Sequence, residues 1–486
     1  MCRRPETVGQ KKSHVFSSDN LQKLDPTLAT DIFNDIDATV RIAHPSQPDV
    51  HPPKRARTLN YNPSSSQPNR PTIAAADRNS VIVCVRKGKY RDELQAALAG
   101  GHKAVVQLLL DDGADVKAKE GEYGTALLAA SAEGHEDVIQ LLLEYGADVN
   151  AAAFNKVEEL FRSPLFMASG RGHEAVVRLL LDKGADVKAH GSYYGNALQA
   201  ASWGGYEAVV QLLLDKGADV QARGGPHGDA LQSASKKGSE AVVRLLLDKG
   251  ADVQAKGGFY GNALQLASCR GYEAVMRLLL DKGADVQAPG GFYGSALQAA
   301  SRGGYKAVVQ LLLDKGADVQ AQGGSYGNAL HVASQGGHKA VVQLLLDKGA
   351  DVQARDGYYG NALQAASQGG FEAIIHLLLD KGADVQTQGD YYGNALQAVS
   401  WGGHEAVVQL LLDNGAVVQA QGGFYGNALQ SASYKGSKAV VRLLLDKGAD
   451  VQAQGGFYGN ALQAASRGGY EAVMRLLLDK GADIQA

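Results

Sequence analysis

Five histidines follow a glycine: His102, His135, His173, His338 and His404. Imidazoles brought to one point could hold a metal or shuttle a proton. The equivalent place in other Gly-led segments, however, holds Tyr206, Tyr272, Tyr305, Phe371 and Tyr470. A phenyl or phenol ring can replace imidazole in packing, but not as a ligand or a base. The recurring Gly-Gly-Phe-Tyr-Gly resembles a phosphate loop, yet it lacks the Gly-Lys-Ser/Thr ending and the preceding strand that phosphate binding requires. Cys2, Cys84 and Cys269 are the only cysteines and lie far apart. They exclude a disulfide framework and a cysteine zinc site, and point to a reducing compartment. No Ser/His/Asp, paired-carboxylate or Cys/His arrangement is present. No catalytic, metal-ligating or cofactor-binding residue is therefore expected.

What positions these residues is a repeat. The phrase Leu-Leu-Leu-Asp-Lys-Gly-Ala-Asp-Val recurs with its Gly at 113, 146, 184, 217, 250, 283, 316, 349, 382, 415, 448 and 481. Ten of the eleven intervals are 33 residues, and the eleventh is 38, with its insertion around Ala151–Arg162. Twelve units thus fill residues 87–486. In the last unit Asn460 reads as an N-cap, and Gln463 three residues on completes a capping box for a short first helix. Ala461, Ala464 and Ala465 keep that helix thin, and Gly468-Gly469 ends it. Glu471 opens a second helix with the apolar stripe Val473, Leu476 and Leu477. Gly481 fits a left-handed C-cap, with an extended Asp-Ile-Gln-Ala expected after it.

Composition agrees with one repetitive body joined to a different arm. Nine of the 12 Pro lie between Pro5 and Pro71, and 59 of the 60 Gly at or beyond Gly88. Residues 1–86 carry 12 basic and 8 acidic groups; the rest carries 36 basic against 43 acidic, for a net charge of -3 overall. That balance exerts no global pull on nucleic acid or membranes. The start leads into no apolar signal region, and no apolar run approaches the roughly 18 residues of a membrane span. A soluble intracellular protein is expected.

A turn plus two antiparallel helices at period 33 resembles the ankyrin repeat, over about 400 residues. His338–Val352, with Gly-His, Val-Val, Leu-Leu-Leu and Gly-Ala-Asp-Val, carries the resemblance well. The family's Thr-Pro-Leu-His helix start appears mostly as Asn-Ala-Leu-Gln, and only Ser163-Pro164-Leu165 keeps the Pro. This Tyr-Gly-Asn-Ala-Leu-Gln version looks like the long ankyrin tracts of filamentous-fungal proteins. The resemblance implies an all-α repeat solenoid whose units touch only their neighbours, with no closed central pocket.

It also implies that the positions varying between units line a concave face where partners dock. At the end of the first helix these are Trp203, Lys236, Arg270, Arg302, Trp401, Tyr434 and Arg467, with Arg355 at the start of a finger. Two finger columns add aromatic rings. The Tyr column, such as Tyr392, Tyr425 and Tyr458, reads as a ladder locking finger to finger. The column before it, including Phe259, Phe292, Phe424 and Phe457, is expected to be exposed and to serve as interface anchors. Lys and Arg outnumber Asp and Glu at these positions, which suits an acidic protein segment. Nucleic acid is disfavoured, because the basic residues are scattered among Gln.

Residues 1–71 are polar and Pro-rich, with the composition of a disordered arm, and 72–86 are expected to cap the array. Asp25-Pro26 with Leu28, Ile32, Ile36 and Val40 forms an acidic amphipathic segment. Pro52-Pro53-Lys54-Arg55-Ala56-Arg57 resembles a nuclear localisation signal through Lys54, Arg55 and Arg57. At the other end, Leu476, Leu477 and Leu478 are expected to face water in part, favouring end-on self-association or fraying. Together these features suggest a non-enzymatic scaffold, either a nuclear transcriptional coregulator bridging a transcription factor and another protein or a cytosolic adaptor or sensor array.

Overall fold

The computed structural model describes residues 90–118, 124–155, 160–189, 195–225, 228–258, 261–292, 294–323, 327–355, 360–389 and 391–484. The chain divides between Val83 and Cys84. The expected arm 1–71 and cap 72–86, with Lys54, Arg55 and Arg57, lie outside the described residues. Among the described residues there are 24 helices in twelve antiparallel pairs, from Tyr90–Ala99 with Lys103–Asp111 to Ala461–Gly468 with Glu471–Asp479.

Each pair forms for the same local reasons. In unit six Asn262 caps the inner helix Ala263–Arg270, accepting from the Gln265 amide at 2.9 Å, while Gln265 Oε1 accepts from the Asn262 amide at 2.8 Å. Gly271, at φ +74°, turns the chain into the outer helix Glu273–Asp281. There Val275, Met276 and Leu279 point inward with 1% exposure or less. Gly283 at φ +89° ends that helix, and the Ala284 amide returns to the Leu279 carbonyl at 2.9 Å. The Asp-Val-Gln-Ala segment is a turn, where the sequence suggested extended chain. Asp285 Oδ1 accepts from the Gln287 amide at 2.9 Å, and its carbonyl from the Ala288 amide at 3.2 Å. An Asp side chain reaching its own backbone two residues on is the cause. The insertion folds into a two-stranded hairpin, β1 (Ala153–Asn155) antiparallel to β2 (Leu160–Arg162).

One continuous apolar core runs from Leu94 to Leu477. Fully buried alanines, Ala201, Ala234, Ala267 and Ala300 among them, let adjoining inner helices approach closely. Outer helices meet their neighbours far less, which makes the row of inner helices the tighter, concave side of the stack.

Polar ladders bind unit to unit. Gln265 Nε2 donates to Ala288, Gly290 and Gly294 carbonyls of the next unit at 3.1, 3.0 and 2.6 Å. On the outside, Gln254 Nε2 donates to the Gly283 carbonyl at 2.6 Å while its Oε1 accepts from the Asp285 amide at 3.2 Å. Lys282 Nζ reaches Asp248 at 2.9 Å, and the same pair recurs from Lys216–Asp182 to Lys381–Asp347. These exposed pairs are worth about 0.2–1 kcal/mol each. Asn414 and Val417 interrupt the outer pattern in unit ten, leaving Val417 51% exposed.

The His and aromatic column lies across these unit boundaries. His173 Nε2 donates to the Ala132 carbonyl and His338 Nε2 to the Arg302 carbonyl, both at 2.9 Å. From unit two onward the rings of this column lie against a glycine of the preceding unit, so that a Cβ on Gly271 would stand 2.5 Å from the Tyr305 ring. Gly271→Ala is expected to lose about 1–2 kcal/mol in urea unfolding, from the left-handed backbone and the displaced ring. At the C-terminal unit Leu478 is 38% exposed, but Leu477 is fully buried, contrary to the expected exposure of all three leucines.

Candidate protein-interaction surface

The residues singled out in the sequence fall on the inner-helix ends and the fingers, in three different situations. Trp203 and Lys236 occupy each other. The ammonium lies 4.9 Å from the indole centroid, and Lys236 is only 4% exposed. Lys236 is therefore withdrawn from solvent, where the sequence suggested a docking residue, with its ammonium over the neighbouring ring. Arg270 and Arg302 are half-buried in the last turns of their helices, and Arg355 is exposed at the root of a finger. Phe292 is half-buried in its finger, and Phe259 lies outside the described residues.

The other candidates converge at units ten to twelve. The finger rings Tyr391, Phe424 and Phe457 stack in a row, with centroids 5.6 and 4.7 Å apart and planes within 20° of parallel. The backbone supports the row: the Phe424 amide donates to the Tyr391 carbonyl at 2.7 Å, and the Phe457 amide to the Phe424 carbonyl at 2.9 Å. Phe424 is thereby half-buried rather than exposed, whereas Phe457 at the end of the row is 59% exposed. Behind it runs the Tyr ladder. Tyr392 and Tyr425 are each 6% exposed with centroids 6.4 Å apart, and Tyr458 follows at 6.1 Å. Trp401 rests 5.3 Å from Tyr392, and Tyr434 stacks on Tyr458 at 4.4 Å. Burial raises the Tyr425 phenol well above its ordinary range, reinforced by its hydrogen bond with Tyr391; burial and the Tyr434 hydrogen bond push Tyr458 up to about 12. Both phenols stay protonated at any physiological pH.

Two cations cover this block. Lys435 Nζ sits 4.4 Å from the Trp401 ring centroid, and the Arg467 guanidinium 5.6 and 5.3 Å from Phe457 and Tyr458. Lys435 stands one position beyond the column of Tyr434 and Arg467, in the neighbouring column that also holds Arg270. From unit three to unit twelve the inner helices carry Arg171, Lys236, Lys237, Arg270, Arg302, Lys435 and Arg467 and no carboxylate. Cations in a last helical turn complement the helix dipole, so the sign of this face is built into the fold. Among the described residues no group of three His, Cys, Asp or Glu side chains could hold a metal, and no helix is long and apolar enough to cross a membrane.

Stacked helix pairs joined by ladders of hydrogen bonds, with cations and aromatic rings on the inner helices and fingers, define an array of repeats. The family described as Ankyrin repeats (3 copies) matches residues 75–153, 152–224, 225–290, 288–356 and 396–486. The chain belongs to the ankyrin repeat family, whose members are protein–protein interaction modules on a non-catalytic fold. Among solved structures it is similar to the human ASB11 ankyrin repeat domain, at 26% identity over 46% of this chain and 99% of that one, with a TM-score of 0.41. No curated protein matches the chain.

Proposed function

We propose that this protein is a non-enzymatic scaffold that holds partner segments along its inner helices and fingers. The supporting observation is the sign and chemistry of that face, with cations and aromatic rings and no carboxylate on the inner helices from unit three onward. A partner would be recognised by rings and charged groups at a few anchors rather than by area. Within the scaffold reading we place the protein in the nucleus as a transcriptional coregulator. The basic cluster Lys54, Arg55 and Arg57 and the acidic segment after Asp25-Pro26 support this setting. The competing setting is a cytosolic adaptor.

Two measurements test this. Full-length protein is used to capture partners from lysate, with Trp203→Ala plus Trp401→Ala as the comparison. Recovery of the wild-type partners is expected to fall sharply, and unchanged recovery would remove both anchors. A fluorescent reporter fused to residues 45–62 is expected to accumulate in the nucleus, and its exclusion would leave the cytosolic adaptor.

A further inference from the structure

We propose that units ten to twelve form a docking site for an acidic peptide segment bound in extended form. This rests on the scaffold reading and names the partner chemistry and the place. The stacked row Tyr391, Phe424 and Phe457 is held by backbone bonds between fingers, so it is a fixed ridge and not three independent side chains. Its rings turn their faces toward one another and present their edges outward. Ring edges carry partial positive charge and favour carbonyl and carboxylate oxygens. Lys435 and Arg467 lie over neighbouring rings on the same block, both exposed, and neither makes an ion pair with a carboxylate among the described residues. A cation over a ring face keeps its remaining N–H donors, and the exposure of both residues makes those donors accessible.

Charge complementarity selects the occupant. The inner helices here, Ala395–Gly402, Ala428–Lys435 and Ala461–Gly468, contain two cations and no acid. Lys435 and Arg467 belong to adjacent units, so their separation is about one helix spacing, roughly 8–10 Å. A chain extended as polyproline II advances about 3.1 Å per residue with three residues per turn, which puts carboxylates three residues apart on one side at a matching distance. Nucleic acid fits less well. Single strands bind by laying bases on open ring faces, and here those faces are taken by neighbouring rings and by Arg467.

The test uses the full chain and a fluorescein-labelled peptide of repeating Glu-Pro-Ala, with Gln-Pro-Ala and an oligo-dT strand as alternative probes. Anisotropy titrations are expected to show binding of the Glu peptide that weakens with salt and is lost with Gln. Lys435→Glu plus Arg467→Glu should weaken it at least about tenfold, while Arg244→Glu on an outer helix should not; thermal melts check that each variant is folded. Equal binding of the Gln peptide, or of the Glu peptide to the reversed variant, overturns the proposal. So does tighter binding of oligo-dT, or an absence of binding. Failure here leaves the partner captures through Trp203 and Trp401 intact, so the two readings fall separately.

Discussion

Gln265→Leu is expected to destabilise the array by about 4 kcal/mol and to split its unfolding into two transitions. Leu nearly matches Gln in volume, so packing in this 1%-exposed position is kept. What is lost is polar. The Asn262 amide loses its acceptor, and the carbonyls of Ala288 and Gly294 lose their donor. Each buried backbone group left without a partner costs about 1–3 kcal/mol. The loss falls on the boundary between units six and seven. In a solenoid, stability is close to a sum over units and their boundaries, so one weak boundary divides the cooperative unit. Urea unfolding followed by circular dichroism, with amide exchange to locate the break, measures it. The control is Gln254→Leu in the outer ladder, where solvent replaces the lost partners and about 1 kcal/mol or less is expected. A single transition at the wild-type midpoint would show that Gln265 acts only as a local cap.

That dual role shows what a sequence of this kind reveals and what it conceals. The period follows from a phrase recurring every 33 residues, and the helix pairs, the Asn caps and the Gly-terminated helices from spacing of four residues or fewer; the structure has them. Gln463 and its equivalents read as capping-box residues because their local partner is three residues away. In the units before the last, the other partners of this Gln are carbonyls 23 to 29 residues on, as for Gln265, and no local pattern points there. The same limit explains the His column. Substitution by Tyr and Phe argues for packing, but only the fold shows the rings from unit two onward lying against a glycine of the preceding unit. It explains the interaction face as well. Lys236 and Trp203 vary between units as docking residues do, yet they meet across a unit boundary and bury the lysine. Phe424 reads as an exposed anchor, whereas stacking between fingers half-buries it. Variation between near-identical units thus marks where side chains meet one another as readily as where they meet a partner.

The exception within the inner ladder leads to a pH effect. Nine units have Gln at this place, units two and three have Leu128 and Phe166, and unit eight has His331. Its amide still donates to Asn328 Oδ1 at 2.8 Å, so the helix is capped, but the ring is 1% exposed. Burial lowers its pKa from 6.5 to about 4 in the folded protein. The unfolded chain therefore binds the proton more readily between those values, and stability must rise with pH across that window and fall as acid is added. At one pKa unit per 1.36 kcal/mol the full loss is about 3 kcal/mol below pH 4, and about 2 kcal/mol of it has appeared by pH 5. The effect should be local, because neighbouring units share only boundaries with this one. Amide exchange in Ala329–Gln335 and Lys339–Asp347 is expected to quicken on going from pH 7.5 to pH 5, after correction for intrinsic rates, beyond that in Ala263–Arg270. His331→Gln should abolish the difference, because an amide does not titrate. It should also add about 1 kcal/mol at neutral pH by extending the inner ladder across this boundary. Acid sensitivity that survives in His331→Gln would assign the effect to other groups and leave His331 a packing residue alone.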